Sequence, residues 1–419
     1  MAGKNVFYAQ SGGVTSVINA SALGVFDGVD AHPETFGQIF AGKNGIIGAL
    51  TEELIDVGKL SQRERQGLLH TPAGAFGSCR YKLKDIDQQR AQYERLIAVF
   101  KAHDIGYFFY NGGGDSQDTA HKVSQLSETL GYPITCIGVP KTIDNDLPHT
   151  DCCPGFGSVA KYVATSIREA ALDVESMAAS STKVFILEVM GRHAGWIAGA
   201  AGLAQTDGHP APQLILFPER TFDRAAVMAK IAESVAEHGF CALVASEGIR
   251  DASGRFVAET GVRDAFGHAQ LGGVAQRLAE MVRDDLGLKY HYAIADYLQR
   301  SARHIASQTD VDQAYALGRH AALLAHQGAN AVMPTIVRTN DAPYTYELSH
   351  APLSEVANVE RPMPDAFISE DGFSITEEAR RYFAPLIAGE AFPPFHNGLP
   401  DYVRLQYHLV KPKLPPFTV

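Results

Sequence analysis

The sequence predicts an α/β protein with mainly parallel sheets that carry helices on both faces. Short apolar strands alternate with helical segments along the chain, which is typical of parallel strands joined by helical crossovers. The chain has 419 residues, more than one hydrophobic core usually serves, so two or more domains are expected. A hydrophobic fraction of 46% and a charged fraction of 20% are those of an ordinary globular protein.

Charge and hydropathy disfavour several classes of partner. The net charge of −11 argues against a nucleic-acid or anionic-membrane binder. No apolar run reaches the ~18 residues of a membrane-spanning helix, and the N-terminus lacks a signal-peptide pattern. The 5 cysteines are irregularly spaced, which favours reduced thiols used for packing. We therefore expect a cytoplasmic protein that binds neither nucleic acid nor membrane.

Two glycine turns follow predicted strands in the first part of the chain. The turn Ser11–Gly13 follows a strand over 6–10, and a helical pattern begins at Val14. A helix over 87–103 and a strand over 105–110 then lead to Gly112–Gly114, and the next helix opens at Gln117. A glycine turn between a strand and a helix N-terminus exposes N–H groups that bind anions, so two phosphate cradles are predicted. The alternative is a tight turn or plain loop that glycine geometry requires.

The most informative stretch is Cys136–Leu147. Its apolar run ends at Pro140, and Lys141, Thr142, Asp144 and Asp146 follow directly. If the backbone stays extended here, the two carboxylates project to one side. One carboxylate can accept a proton while the other orients it or holds a metal, and the lysine can hold a polyanion such as phosphate. A polar turn leaving a strand is the alternative interpretation.

Gly155–Ala160 superficially matches a dinucleotide-binding fingerprint. Pro154 and a polar turn precede it instead of a strand, so we reject that interpretation. The segment is expected to lead into a helix over Val159–Ala171.

Three more strands are predicted over 183–189, 213–217 and 240–245, and polar residues follow each of them. Ligands bind at the carboxyl ends of strands in parallel sheets. Asp115, Asp144, Arg192 and Glu247 all come just after strand ends, so we expect them in one site.

The last third of the chain is less informative. Residues 293–300 are predicted to bring a further strand and Arg300, and Val311–Ala325 reads as a helix. Beyond Asn340 the chain is rich in proline and has no catalytic signature. We expect covering or dimer-contact structure there, with a loosely ordered end.

Taken in order, these motifs resemble the phosphofructokinase family over roughly residues 5–325. The motifs are Ser11–Gly13, Gly112–Ser116, Pro140–Asp146, Met190–Arg192, Ser246–Gly248 and Tyr297–Arg300. The run Pro140–Asp146 is the most specific. ATP-dependent members usually have glycine after this proline, whereas Lys141 marks the pyrophosphate-dependent branch.

The fold expected with this resemblance is α/β, with two similar Rossmann-like three-layer domains and mainly parallel sheets. Residues 1–147, completed by a segment near 300–340, would bind pyrophosphate. Residues 148–299 would bind fructose 6-phosphate, with the active site in the cleft between the domains, and residues 341–419 would form a C-terminal extension.

The resemblance implies a glycolytic and gluconeogenic enzyme. It would reversibly transfer a phosphoryl group from pyrophosphate to the C1 hydroxyl of fructose 6-phosphate, with Mg²⁺ as cofactor, as a homodimer or homotetramer. The alternatives are an ATP-dependent 6-phosphofructokinase and a non-catalytic sugar-phosphate sensor of the same fold.

The resemblance also implies a role for each matched residue. Asp144 would be the general base, and Asp146 and Thr142 would place the substrate and the transferring group. The donor-binding residues would be Gly12, Gly13, Asp115 and Lys141. The sugar-phosphate residues would be Thr142, Ile143, Asp144, Met190, Gly191, Arg192, Glu247, Tyr297, Leu298, Gln299 and Arg300.

Donor choice and the metal site depend on three positions. Lys141 would replace binding energy that is lost with the adenosine portion of ATP. Asp115 would occupy the space of the nucleotide α-phosphate and repel ATP by its charge. Gly114 stands where the family usually has its magnesium aspartate. This leaves Asp115, Asp146 or bound water to hold Mg²⁺.

Overall fold

The computed structural model describes residues 3–263 and 269–419. The strands are β1 Lys4–Ser11, β2 Phe36–Gly42, β3 Leu54–Asp56, β4 Ser78–Cys79, β5 Ile105–Gly112, β6 Thr135–Pro140, β7 Val184–Val189, β8 Leu214–Leu216, β9 Cys241–Ser246, β10 Glu259–Arg263, β11 Ala269–Leu271, β12 Tyr290–Ile294, β13 Val332–Asp341, β14 Tyr344–Pro352, β15 Phe395–His396 and β16 Leu399–Pro400. The α-helices are α1 Ile18–Asp30, α2 Ile46–Leu50, α3 Gln62–Gly67, α4 Ile86–Ala102, α5 Gly114–Thr129, α6 Phe156–Met177, α7 Trp196–Ala200, α8 Arg224–His238, α9 Val274–Leu286, α10 Asp296–Ser301, α11 Gln308–His326, α12 Leu353–Val356 and α13 Glu377–Phe383.

The first sheet has eight strands in the order β14-β13-β6-β5-β1-β2-β3, with β4 beside β1. Its strands run parallel except β3 and β14, which pair antiparallel at the two edges. Val6 and Tyr8 pack towards α1 and α11, whereas Phe7 and Ala9 pack towards α2, α4 and α5. Because helices cover both faces, β1 reads as a continuous apolar run rather than an alternating one.

The second sheet has four parallel strands in the order β12-β7-β9-β8. Val184 and Ile186 pack towards α8 and α9, and Leu187 and Val189 pack towards α6 and α7. The strand ends coincide in register, since Val189 pairs with Ser246 here and Gly112 pairs with Pro140 in the first sheet. The residues that follow these strands therefore lie side by side.

The prediction of two three-layer α/β units with mainly parallel sheets is confirmed. The first sheet takes its strands from residues 4–140 and 332–352, and the second takes them from 184–294. The exact domain bounds of 1–147, 148–299 and 341–419 stay a prediction. Within the described part of the chain, no helix is both long and apolar enough to cross a membrane.

Three local predictions are wrong. The helix predicted to begin at Val14 begins at Ile18, so residues 14–17 separate the first glycine turn from α1. The strand predicted over 293–300 ends at Ile294, and Asp296, with φ +37°, opens the short helix α10. The apolar run stops at this acidic residue, which favours the first turn of a helix. The helix predicted to open at Gln117 begins earlier, at Gly114. By contrast, Gly155 does lead into helix α6.

The end of the chain is attached to the first unit, contrary to the expected loose end. Asp56 donates its N–H to the carbonyl of His408 at 2.9 Å, and Val410 donates its N–H to the carbonyl of Leu54 at 2.8 Å. Backbone groups at the edge of the first sheet thus gain partners from the tail, as buried backbone polar groups require.

Candidate active site

A cavity of about 780 Å³ lies where the carboxyl ends of the two sheets face each other. Connecting loops leave a crevice at this position in parallel sheets, which is why ligands bind there. The predicted site residues that line the cavity are Gly12, Gly13, Asp115, Lys141, Thr142, Ile143, Asp144, Asp146, Met190, Arg192, Glu247, Tyr297 and Arg300.

The other three predicted site residues lie outside this lining. Leu298 is 65% exposed on the outer side of α10. Gln299 is buried and its amide oxygen accepts a hydrogen bond from the N–H of Met190 at 3.3 Å. The carbonyl of Gly191 accepts a hydrogen bond from the Ser246 hydroxyl at 2.6 Å. Gln299 and Gly191 therefore brace the loop around Met190 rather than face the cavity.

The loop after β6 forms the floor of the cavity, but its backbone is not extended as expected. Asn145 has a left-handed φ of +54°, which an asparagine tolerates better than most residues. Its side-chain oxygen accepts a hydrogen bond from the N–H of Cys153 at 2.9 Å. Asp144 and Asp146 both line the cavity, so the turn itself presents the two carboxylates to the same space.

Lys141 connects this floor to the first glycine turn. Its side chain is buried, and its ammonium group donates a hydrogen bond to the carbonyl of Gly13. A Cβ on Gly12, where φ is +73°, would lie 3.5 Å from the ammonium nitrogen. A Cβ on Gly13 would lie 2.6 Å from Nη1 of Arg300. The two glycines leave room for two cations beside the turn.

Burial moves the pKa values of the floor residues towards neutrality. Burial and the nearby Arg300 lower the pKa of Lys141 to about 8. Burial, with the carboxylates of Asp146 and Glu247, raises the pKa of Asp144 to about 7. Burial also raises the pKa of Asp146. At neutral pH, Asp144 can therefore exchange a proton readily while Lys141 remains mostly charged.

Two arginines near the first glycine turn add positive charge. The guanidinium of Arg300 lies 3.9 Å above the ring centre of Tyr297, and burial lowers the pKa of Arg300. Arg80 lines the cavity directly after β4, and a Cβ on Gly13 would lie 3.8 Å from its Nη2. Sequence reasoning missed Arg80 because the two-residue β4 is recognisable only from its pairing with β1.

Asp115 lies in the first turn of α5, next to the glycine turn that the sequence predicts between a strand and a helix. Its carboxylate accepts a hydrogen bond from the ammonium group of Lys82. Lys82 also lies 3.5 Å from the side-chain oxygen of Asn358. The negative charge at this end of the cavity is therefore partly neutralised by a lysine that the sequence did not single out.

The C-terminal extension supplies part of the cavity wall, although the sequence beyond Asn340 has no catalytic signature. Glu360, Arg361 and Pro362 line the cavity. The Glu360 carboxylate lies 2.9 Å from Nδ1 of His193, which follows the Met190–Arg192 loop. No local sequence pattern marks these residues, because their position depends on how a distant segment packs.

The carboxylates at the cavity suit a magnesium ion that is bound partly by substrate phosphates, rather than a metal ion whose ligands all come from the protein. Among the described residues, the only cluster of three possible metal ligands is His32, Glu34 and His326, and none of these lines the cavity. Mg²⁺ is commonly bound through one or two carboxylates together with substrate phosphates. Asp146 and Asp115 can provide such ligands, although Lys82 already pairs with Asp115.

Residues 5–325 match the family described as Phosphofructokinase. Pyrophosphate–fructose 6-phosphate 1-phosphotransferase of Halomonas elongata is 64% identical over 100% of both chains. The protein of that name from Methylococcus capsulatus is 63% identical over 99% of both chains. The crystal structure of pyrophosphate-dependent phosphofructokinase from Nitrosospira multiformis is 59% identical, with a TM-score of 0.92 over 99% of this chain and 100% of the other.

Proposed function

The chain belongs to the phosphofructokinase family, and we propose that it is a pyrophosphate-dependent member. It reversibly transfers a phosphoryl group from pyrophosphate to the C1 hydroxyl of fructose 6-phosphate, giving fructose 1,6-bisphosphate and phosphate. The names of its full-length relatives support this activity. The proposed place of the reaction is in glycolysis and gluconeogenesis.

One observation carries the proposal in the structure. The buried ammonium group of Lys141 contacts the first glycine turn, and Asp144 and Asp146 follow it on the same cavity floor. A buried cation beside a glycine turn suits a polyphosphate, and the adjacent carboxylates suit the activation of an alcohol. Donor binding and proton transfer therefore meet in one loop.

The proposed roles of the site residues follow from the charges of their side chains. The glycine turns and Lys141 hold pyrophosphate, Arg192 and Arg300 hold the sugar phosphate, and Asp144 takes the proton of the C1 hydroxyl. Phosphoryl transfer depends on such positioning and charge neutralisation rather than on covalent chemistry by the protein. In the reverse reaction, Asp144 returns the proton to the C1 oxygen.

Mg²⁺ would be held by Asp146 or Asp115 with donor oxygens, and it would neutralise charge on the transferring group. Metal content and binding can be measured by equilibrium dialysis with Mn²⁺ as the probe, comparing Asp146→Asn and Asp115→Asn with the unchanged protein. Weaker Mn²⁺ binding in the presence of pyrophosphate is expected for the variant that removes a ligand.

Donor specificity is proposed to depend on Lys141 and Asp115. Lys141 recognises the compact inorganic donor, and Asp115 adds negative charge at the end of the cavity opposite the sugar site. Lys82 neutralises part of the negative charge of Asp115. Repulsion between Asp115 and the ATP phosphates is therefore a weaker explanation for the exclusion of ATP. The Lys82–Asp115 pair equally supports a second explanation, in which the two side chains exclude ATP because they occupy the space that it would need.

We also propose a cytoplasmic homodimer or homotetramer. The edge strand β12 exposes Tyr292 and Ile294, and among the described residues no strand pairs with its outer side. A second copy of the chain can cover this apolar edge. Light scattering after size exclusion measures the assembly, and Tyr292→Glu should shift it towards the monomer.

A donor comparison tests the proposed activity. The protein is incubated with fructose 6-phosphate, Mg²⁺ and either pyrophosphate or ATP, and fructose 1,6-bisphosphate is measured. Product with pyrophosphate alone is expected. Product with ATP alone would identify an ATP-dependent kinase, and no product with either donor would favour a sugar-phosphate sensor.

A further inference from the structure

The loop that carries Asp144 and Asp146 is held by the C-terminal extension, chiefly through Arg361, and Tyr382 adds bonds to the Asn145 side chain and the Asp151 carbonyl. Arg361 donates its backbone N–H to the carbonyl of Asp146 at 2.7 Å. Its side chain donates from Nη2 to the carbonyl of Asn145 at 2.8 Å, and from Nη1 to the carbonyl of Thr150 at 2.6 Å. A further bond joins Nη1 to the carbonyl of Asp151 at 3.0 Å.

This arrangement suits an arginine in particular. Among the described residues, all hydrogen bonds of the Arg361 side chain go to backbone carbonyls of the loop 145–151. The planar guanidinium presents its donors in fixed directions, so one group can satisfy several carbonyls at once. A lysine, with a single ammonium group, cannot reach the same set with the same geometry.

Arg361 is itself fixed by Trp196 of the second unit. Its guanidinium lies 4.7 Å from the centre of the indole ring, and Nε1 of Trp196 donates to the carbonyl of Arg361 at 3.0 Å. Trp196 also packs against Phe367, Tyr382 and Phe383 of the extension. The floor loop, which follows a strand of the first sheet, is thereby attached to the helix that follows β7 in the second.

We propose that Arg361 is a positioning residue of the transfer reaction, through which one segment of the C-terminal extension contributes to catalysis. This proposal about Arg361 rests on the function proposed above, in which Asp144 is the general base. The bonds of Arg361 fix the position and orientation of the backbone turn at Asn145. They thereby set the distance between the Asp144 carboxylate and the sugar hydroxyl. A general base must come within hydrogen-bond distance of its proton, and a displacement of ~1 Å can cost about a hundredfold in rate.

The decisive variant is Arg361→Lys, which keeps the positive charge but loses the bonding pattern. We expect kcat to fall by about tenfold to a hundredfold, with the KM values for both substrates changed less than about threefold. The matched control is Arg380→Lys in the same extension, because Arg380 bonds the carbonyl of Gln205 away from the loop. That control should keep the wild-type kcat.

A double-mutant cycle separates positioning from general support of the fold. If Arg361 acts through Asp144, adding Arg361→Lys to Asp144→Asn should reduce the residual rate by less than about twofold, since the base is already gone. Guanidinium at millimolar concentration should partly restore kcat of Arg361→Ala and leave Arg380→Ala unaffected.

Folding is followed by the emission of Trp196, the only tryptophan of the chain, during urea unfolding. Equal unfolding midpoints for Arg361→Lys and Arg380→Lys with unequal kcat support the proposal. Four results would overturn it: an unchanged kcat, a change confined to KM for either substrate, full additivity with Asp144→Asn, or a kcat loss matched by the control. Absence of turnover in the unchanged protein would instead refute the proposed function.

Discussion

Asp144 and Lys141 lie three positions apart on the cavity floor, and burial drives their pKa values towards each other. The carboxyl group of Asp144 has a pKa of about 7, and the ammonium group of Lys141 has a pKa of about 8. A base is most effective when its pKa lies near the working pH, and a donor-binding lysine acts only while it is charged. The two residues therefore define a narrow pH window for activity.

The pH dependence of kcat/KM should consequently be bell-shaped. In the direction of fructose 1,6-bisphosphate formation, activity should rise as Asp144 loses its proton near pH 7, and it should fall as Lys141 loses its charge above about pH 8. Lys141→Arg keeps its charge throughout this range, so any remaining activity should lack the alkaline limb. A flat profile between pH 6 and about 9 for the unchanged protein would contradict these assignments.

Replacing Asp144 by asparagine removes the proton acceptor and preserves the shape of the side chain. We expect kcat to fall by about 10²-fold to 10⁴-fold, with binding of fructose 6-phosphate changed little. Turnover assays and titration calorimetry measure the two effects separately. Near-normal turnover would remove Asp144 from the mechanism.

Lys141→Met tests donor recognition. Because a buried charge-assisted contact is worth about 1.5–3 kcal/mol, the KM for pyrophosphate should rise by about tenfold to a hundredfold. The KM for fructose 6-phosphate should change much less. Lys84→Met, which removes the same charge from an exposed position beyond the cavity, provides the comparison. Equal effects on both substrates would show that Lys141 does not select the donor.

The first glycine turn places two cations beside one short segment of backbone. A Cβ on Gly13 would lie 2.6 Å from Nη1 of Arg300, and this atom is the free end of a flexible side chain. Gly13→Ala should therefore displace Arg300 rather than disrupt the fold. We expect weaker binding of fructose 6-phosphate by calorimetry with an unchanged urea midpoint; unchanged binding would place Arg300 outside the sugar site.

Strands and glycine turns were predictable because their signals are local. Parallel strands covered on both faces leave continuous apolar runs, and the polar residues after them must lie at the same sheet edge. The backbone between Asp144 and Asp146 was not predictable in this way, because its turn depends on Asn145 bonding to Cys153. Arg80, Glu360 and Arg361 reach the cavity through tertiary packing, which leaves no periodic pattern in the sequence.

The two units of the molecule are joined by more than the connections between consecutive elements. The extension contacts Lys82 through Asn358, His193 through Glu360 and the floor loop through Arg361. The remaining tail returns to the first unit, where Glu52 accepts the N–H of Lys413 at 2.6 Å. The cavity is therefore enclosed by three parts of the chain.

Removing residues 401–419 should lower stability more than activity. Glu52 is buried and also pairs with Nε2 of His103 at 2.7 Å, so its carboxylate would lose two backbone donors, Lys413 and Leu414. His103 and Arg95 would remain as partners, and each lost hydrogen bond to a charged group costs about 1.5–3 kcal/mol. A lower urea midpoint, with near-normal turnover at low urea, is expected. An unchanged midpoint would show that the tail does not support the first unit.

The position of β13 beside β6 also affects how the protein is made. Strand β6 ends at Pro140 and its neighbour β13 begins at Val332, which is 332 − 140 = 192 residues later. At a synthesis rate of about 5–20 residues per second, the ribosome needs roughly 10–40 s to deliver that neighbour. The nascent polypeptide thus carries an unprotected sheet edge throughout synthesis of the intervening unit, whose core at that stage still lacks Met363, Phe367 and Phe383. Chaperone demand during translation should concentrate in that interval.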